Sequence, residues 1–288
     1  MRDPAISAAS YLGILLNLGL YGILAGQIIT YSLSYNRDHS KTKALVYGLF
    51  LLNTLQSILL LRDGFITFAK GYGDVDGLLN SHLEWLSVPY ITSIVSFIVQ
   101  VFFAYRIYVA FERSYWISSV ILMASAIQAI AGILAGTKDL QFRTYTLLYA
   151  RAGVEIMIWH VAAAVCDLLI AASMGFYLFS RDDVFRTHSH VSRGIRLALE
   201  TGTVTAIVTI ANLILFFAAP RRIYFVVPSF ISAKLYANTV LVVFNNRAQF
   251  VTGVCDTRDC VRQISALRFQ KTVPALGDRT SHIEVRTL

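Results

Sequence analysis

The chain has 288 residues, 56% of them hydrophobic and only 15% charged, with a formal net charge of +8. That composition is too apolar for an ordinary soluble domain, and its apolar residues fall in runs longer than about 18, which a soluble core would break with periodic polar positions. The basic excess is no sign of nucleic-acid binding, because no basic soluble domain is there to display it.

Seven apolar spans are predicted in chain order: Ala9–Tyr31, Leu45–Phe68, Val88–Phe111, Trp116–Ala135, Ile156–Phe179, Leu197–Ala219 and Ile223–Phe244. Each holds 20 to 24 residues, enough for a hydrocarbon core of roughly 30 Å at about 1.5 Å per residue. In lipid the backbone must pair internally, so the spans are helices; barrel strands would be about half as long. The first span is too long, and its flank of Arg2 and Asp3 too weakly basic, for a secretory signal. The expected fold class is therefore all-α, a polytopic membrane protein with seven transmembrane helices.

Connectors and tail complete the outline. Gly71–Trp85 carries Asp74, Asp76 and Glu84, and Gly136–Glu155 is the longest connector on its side. Two Gly-x-x-x-Gly patterns, Gly22 with Gly26 and Gly132 with Gly136, are candidates for close helix contact. Tyr11, Tyr31, Trp85, Trp116, Trp159 and Tyr224 lie near span ends, as interfacial anchors do. Residues 1–247 form the predicted membrane domain. Residues 248–288 form a polar cytoplasmic tail expected to be largely disordered, with Val261–Phe269 able to make one short helix.

Orientation follows from Lys and Arg. The connectors after the first, third and fifth spans, with the tail, hold 16 of the 25 basic residues, and the other side holds 7. The bias predicts an N-terminus outside and a C-terminus in the cytoplasm, with the plasma membrane favoured. The excess charge then also attracts anionic lipid. Cys166 reads as a buried apolar residue, and Cys255 and Cys260 as reduced thiols of the tail or palmitoylation sites. Two tail cysteines with no second pair make no zinc site.

Polar residues at membrane depth are costly and need a partner or a purpose. Asp167 lies about ten residues into the fifth span and Lys234 about eleven into the seventh, so both sit near the midplane at about 1.5 Å per residue. Asn238 is one turn from Lys234, His160 lies two turns from Asp167, and Gln100, Gln128 and Asn212 are candidates for the same layer. Two readings stand together: a polar pocket for a ligand, ion or proton, or a buried Asp167–Lys234 pair holding helices together. A second pair, Arg106 and Glu200, has matched depths at the cytoplasmic ends of the third and sixth spans. It reads as a conformational latch, with snorkelling of Arg106 to headgroups as the plain alternative. Arg62 and Asp63, at the outer end of the second span, are expected to reach water.

The stretches Arg37-Asp38 through Lys41–Val46, Ala104–Tyr108, Cys166–Ala171 and Lys234–Asn238 to Arg247 resemble a fungal membrane family catalogued as domain of unknown function 6534. The resemblance runs over roughly residues 11–247 and is most specific in the last three helices. It implies a seven-helix integral membrane protein and no particular activity.

Enzyme readings find no support in the sequence. No Gly-x-Ser-x-Gly elbow or phosphate loop is present, and of six histidines only His160 is intramembrane. A retinal Schiff base on Lys234 would need a nearby carboxylate, and the third span has none. Transport, the second reading, usually comes with repeats and helices broken at midplane; here Pro89 and Pro228 lie near span ends. A receptor-like or sensor protein with a midplane pocket is therefore the first expectation, ahead of a small-molecule or ion transporter and of a structural role. The expected partners are the lipid bilayer, a small-molecule ligand and a cytoplasmic protein, with no cofactor, no metal and no enzymatic activity. The topology has a direct test: of tags fused to each end, only the N-terminal one should react with an impermeant label in intact cells, and labelling of the tail would reverse the assignment.

Overall fold

The computed structural model describes residues 4–34, 39–70, 83, 86–111, 115–142, 145–180, 190–218 and 225–246. All lie in one compact unit, Met1–Ala248; the tail from Gln249, with its expected short helix and two cysteines, lies outside the described residues. Among the described residues, seven α-helices follow in order: α1 (Pro4–Ser34), α2 (Ser40–Phe65), α3 (Ile91–Ala110), α4 (Tyr115–Phe142), α5 (Tyr145–Ser180), α6 (His190–Ala218) and α7 (Val226–Asn245). One π turn, Ile66–Lys70, continues α2, and a second, Leu86–Tyr90, leads into α3. The second holds Pro89, which donates no N–H and crowds the preceding turn; a widened turn absorbs that defect.

Each helix packs on the next, and α7 returns to α1, closing the bundle. The third helix also touches α5 and α7, and α2 touches α7. The consequence is uneven burial: 78% of the apolar window of α7 is buried against 22% for α1, so α7 is the axis of the bundle and α1 a flank. Polarity runs inside out. Asn53, Gln56, Ser93, Ser96, Gln100, Gln128, Asp167 and Lys234 are buried, while Ile23, Leu33, Leu51, Ile130 and Ile207 point outward. Apolar residues on the outer faces and paired polar ones within are what a lipid solvent selects.

Among the described residues, six helices are long and apolar enough to cross a membrane: Ala8–Ser34, Ser40–Ala69, Leu86–Ala110, Tyr115–Gln141, Ala152–Tyr177 and Val226–Asn245. They support an integral membrane location. The seventh, in α6, contributes a shorter apolar stretch, Gly202–Ala218, about 25 Å long at about 1.5 Å per residue. The expected long connector Gly136–Glu155 is corrected. Helix α4 continues to Phe142 and α5 starts at Tyr145, since charged residues end an apolar span without ending a helix. Lys138 on α4 donates to Glu155 on α5 at 2.5 Å, joining these extensions.

The two glycine pairs differ. A Cβ on Gly136 would lie 2.5 Å from the Tyr90 ring and 3.1 Å from Pro89 Cγ, and one on Gly132 would lie 1.9 Å from Ser93 Oγ and 3.1 Å from Trp159 Nε1. Here α4 crosses the π turn and the start of α3 at backbone distance. Gly22 and Gly26 meet nothing within 4 Å. Gly136→Val should therefore lower the melting temperature in detergent, at an overpacking cost of about 1–3 kcal/mol. Gly22→Ala and Gly26→Ala should leave it unchanged or raise it slightly, by up to about 1 kcal/mol of helix propensity each. Equal losses in both sets would refute the assignment of the seam to α4.

Candidate functional site

The centre of the bundle holds a carboxylate served by neutral donors. Asp167, on α5, is 3% exposed. Its Oδ2 accepts from Tyr236 OH on α7 at 2.7 Å and from Thr209 Oγ1 on α6 at 3.2 Å, and its Oδ1 accepts from Gln100 Nε2 on α3 at 3.3 Å. The same Gln100 amide donates to Gln128 Oε1 on α4 at 2.8 Å, and Gln128 Nε2 donates to Ser96 Oγ at 2.9 Å. Five helices meet in this one network. The donors replace part of the hydration that burial removes, and bonds to a charged acceptor are stronger than neutral ones. The Thr209 hydroxyl also lies 3.0 Å from the carbonyls of Thr205 and Ala206; its single proton serves one acceptor at a time, so this bond can be exchanged.

Lys234 belongs to a different network. Fully buried on α7, its Nζ donates to Gln56 Oε1 on α2 at 2.6 Å. Gln56 Nε2 in turn reaches Ser87 O at 2.8 Å and Thr92 Oγ1 at 3.1 Å. Beside it, Asn17 Nδ2 donates to Phe230 O at 2.7 Å, Ser57 Oγ donates to Asn17 Oδ1 at 3.2 Å, and Asn238 Nδ2 donates to Leu20 O at 3.2 Å. This second set ties α1, α2 and the π turn to α7.

The expected Asp167–Lys234 pair is therefore not formed. Ion pairs among the described residues are Arg62–Asp63 at 3.1 Å and Lys138–Glu155 at 2.5 Å. Depth was matched but azimuth was not. At about 100° per residue, Tyr236 stands roughly 200° around α7 from Lys234, so one faces α5 and the other α2. The ion pairs among the described residues likewise do not join Arg106 to Glu200. The Arg106 guanidinium lies 5.9 Å above the Phe102 ring, one turn back on α3, and Glu200 is exposed.

His160 is also separate from the Asp167 cluster. Its ring stacks on Trp159 at 4.8 Å and meets Phe216 at 5.8 Å and Phe225 at 6.3 Å, and its Nε2 has no hydrogen-bond partner among the described residues. Next to this aromatic group is a cavity of about 50 Å³, at the end of the bundle where α4 meets α5. Pro89, Asp139, Trp159, Phe225, Ser229 and Phe230 are among its walls. Ser229 Oγ accepts from Asn212 Nδ2 at 3.1 Å and donates to Phe225 O at 2.8 Å.

Sequence reasoning missed four members of these sites. Tyr236 and Gln56 were legible as polar groups at mid-span, the same signal that singled out Gln100. Asp139 fell in a stretch read as connector. Asp63, expected to reach water, is 2% exposed and accepts the Leu83 N–H at 2.7 Å, pinning the chain ahead of α3. Among the described residues no group of three His, Cys, Asp or Glu is placed to hold a metal. Cys166 is buried and free, its Sγ 3.7 Å from Ile121 O.

Fold and site together define an integral membrane helical bundle with a buried polar hub. Residues 163–249 match the model of a family of unknown function, DUF6534. The match is narrower than the 11–247 expected and includes the second half of α5, with α6 and α7, and so Asp167, Thr209, Lys234, Tyr236 and Asn238. No curated protein and no solved structure matches the chain.

The two networks predict opposite outcomes in double-mutant cycles of thermal stability. Asp167→Asn with Tyr236→Phe should show a coupling of about 1–3 kcal/mol, whereas Asp167→Asn with Lys234→Met should be additive within about 0.5 kcal/mol. Strong coupling in the second cycle would restore the buried ion pair.

Proposed function

We propose that the protein is a receptor-like or sensor protein of the plasma membrane, with its N-terminus outside and its tail in the cytoplasm. In this reading a small molecule in the cavity near α4 and α5, at the outer end, biases the packing of the bundle, and the cytoplasmic end relays the change to a protein partner. One observation carries it: the Asp167 carboxylate takes donors from Gln100, Thr209 and Tyr236, on three different helices. Any relative movement of α3, α6 or α7 must redistribute those bonds, and Thr209 has backbone acceptors ready in exchange. Cavity and hub share helix faces. His160 and Asp167 are two turns apart on α5, Ser229 and Tyr236 two turns apart on α7, and Asn212 is one turn from Thr209 on α6.

Two bundle arrangements separated by a few kcal/mol suffice for such a device, because a ligand shifts them by its differential affinity. Arg106 and Glu200 supply the complementary element. In the second arrangement the cytoplasmic ends of α3 and α6 bring them together as a latch.

Spin labels at the exposed positions Val109 on α3 and Thr203 on α6 would report the movement. Tyr236→Phe removes one donor to Asp167. It should change the ratio of two distance populations about 5- to 150-fold, the range that about 1–3 kcal/mol produces. Adding Glu200→Gln should reverse part of the gain. One unchanged distance distribution in stably folded variants would leave Asp167 as a packing residue and defeat the receptor reading.

A further inference from the structure

We propose that the Asp167 hub binds a monovalent metal cation, held by the carboxylate with Gln100 Oε1, Ser125 Oγ and Thr209 Oγ1. The inference goes beyond the receptor-like reading and does not need it, since a bundle with no ligand and no partner would hold the ion as well.

Charge is the first argument. Asp167 carries a carboxylate into the bundle interior, where it is 3% exposed, and neither ion pair among the described residues includes it. Its partners Gln100, Thr209 and Tyr236 are neutral donors. They bond the carboxylate without cancelling its charge, which a low-dielectric interior makes costly. Lys234, the buried cation of α7, is turned to Gln56. An ionised carboxylate has about four acceptor positions, so the three donors leave room for a further contact.

The second argument is a surplus of acceptor oxygens beside that charge. Gln100 is fully buried; its Nε2 reaches Asp167 and Gln128, and its Oε1 has no hydrogen-bond partner. That oxygen shares its amide carbon with the nitrogen on Asp167, so it lies beside the carboxylate. Ser125 is also fully buried, with an unpartnered Oγ. It stands one turn from Ile121, whose carbonyl meets Cys166 Sγ next to Asp167, and one turn from Gln128, which bonds Gln100. Helix α4 thus presents Ser125 at the depth of the carboxylate, on the face turned to α3 and α5. Thr209 adds a third oxygen. With its proton turned to the carbonyl of Thr205 or Ala206, each 3.0 Å away, its lone pairs are released to coordinate. Buried polar atoms are normally satisfied, and orphaned oxygens around an uncancelled anion call for a positive partner.

The donor set selects the kind of ion. A proton on Asp167 would cancel the charge but bond only one of these acceptors, whereas a metal ion takes several oxygens at once. Oxygen ligands with no His or Cys among them suit alkali and alkaline-earth ions rather than transition metals. One carboxylate decides between those two groups: a divalent ion would leave an excess buried charge, and a monovalent ion leaves none.

The test uses the full chain in lipid nanodiscs, with sodium as the probe and choline at equal ionic strength as the control for screening. Wild type should broaden the sodium NMR line saturably and melt at a higher temperature in sodium than in choline, because an ion bound only to the folded state stabilises it by mass action. Asp167→Asn should abolish both effects. Ser125→Ala should lower sodium affinity about three- to tenfold, the loss of one neutral polar contact, with its melting in choline as the check on folding. Should Asp167→Asn fail to fold, the ion comparison on wild type and Ser125→Ala still decide. Equal melting in sodium and choline, no saturable broadening, or unchanged sodium affinity in either folded variant would overturn the proposal. So would stronger stabilisation by calcium than by sodium at equal ionic strength. A melting temperature that rises on acidification and ignores sodium would put a proton in place of the ion and overturn it too. The Val109–Thr203 distance is a separate readout: its response decides the receptor reading and leaves the cation site as the binding data have it.

Discussion

The bonds from Gln100, Thr209 and Tyr236 to the Asp167 carboxylate are the constraint on which the bundle depends. In lipid, apolar side chains gain little by leaving their surroundings for one another, so helices associate through close packing and interhelical polar bonds. A single such bond averages only about 0.6 kcal/mol. A buried carboxylate is different, because depriving it of partners costs several kcal/mol. Asp167 therefore dictates where α3, α6 and α7 stand around α5, while the many separate hydroxyl and amide contacts adjust to that arrangement.

The second network sets the other half. Through Lys234 and Gln56, with Asn17, Ser57 and Asn238 nearby, α7 is fixed to α1, α2 and the turn holding Pro89. Opposite sides of α7 thus serve different clusters, which accounts for its unusual burial. The division also separates tasks. The Lys234 ammonium donates to Gln56 inside a packed interior, whereas the Asp167 carboxylate draws its bonds from several helices. Rearrangement is cheaper at the shared site, since one donor can be exchanged for another without stranding the charge.

The extensions of α4 and α5 bring the cavity into being. Had α4 ended with its apolar span at Ala135, Asp139 would not lie on a rigid element beside Trp159 and Ser229. Close approach at Gly132 and Gly136 presses this extension onto Tyr90 and Pro89, so a backbone defect at the start of α3 becomes one wall. Trp159 and Phe225, which pack with His160 and Phe216, supply another.

The sequence by itself determined the solvent, the helical class and the depth of each polar residue, because span length and apolarity depend only on residues close together along the chain. It therefore singled out Asp167, Lys234, Gln100 and Gln128, all four of which are buried within the bundle. It did not determine which of them touch, since contact depends on the rotation of each helix, and polar positions in spans apolar all round give little sign of that rotation. Tertiary structure decided that Lys234 turns to Gln56, that Asp167 turns to Tyr236, and that Arg106 rests on Phe102. It alone also decided which glycine pair forms a seam, because Gly22 and Gly132 have the same local pattern and differ only in whether another helix crosses there.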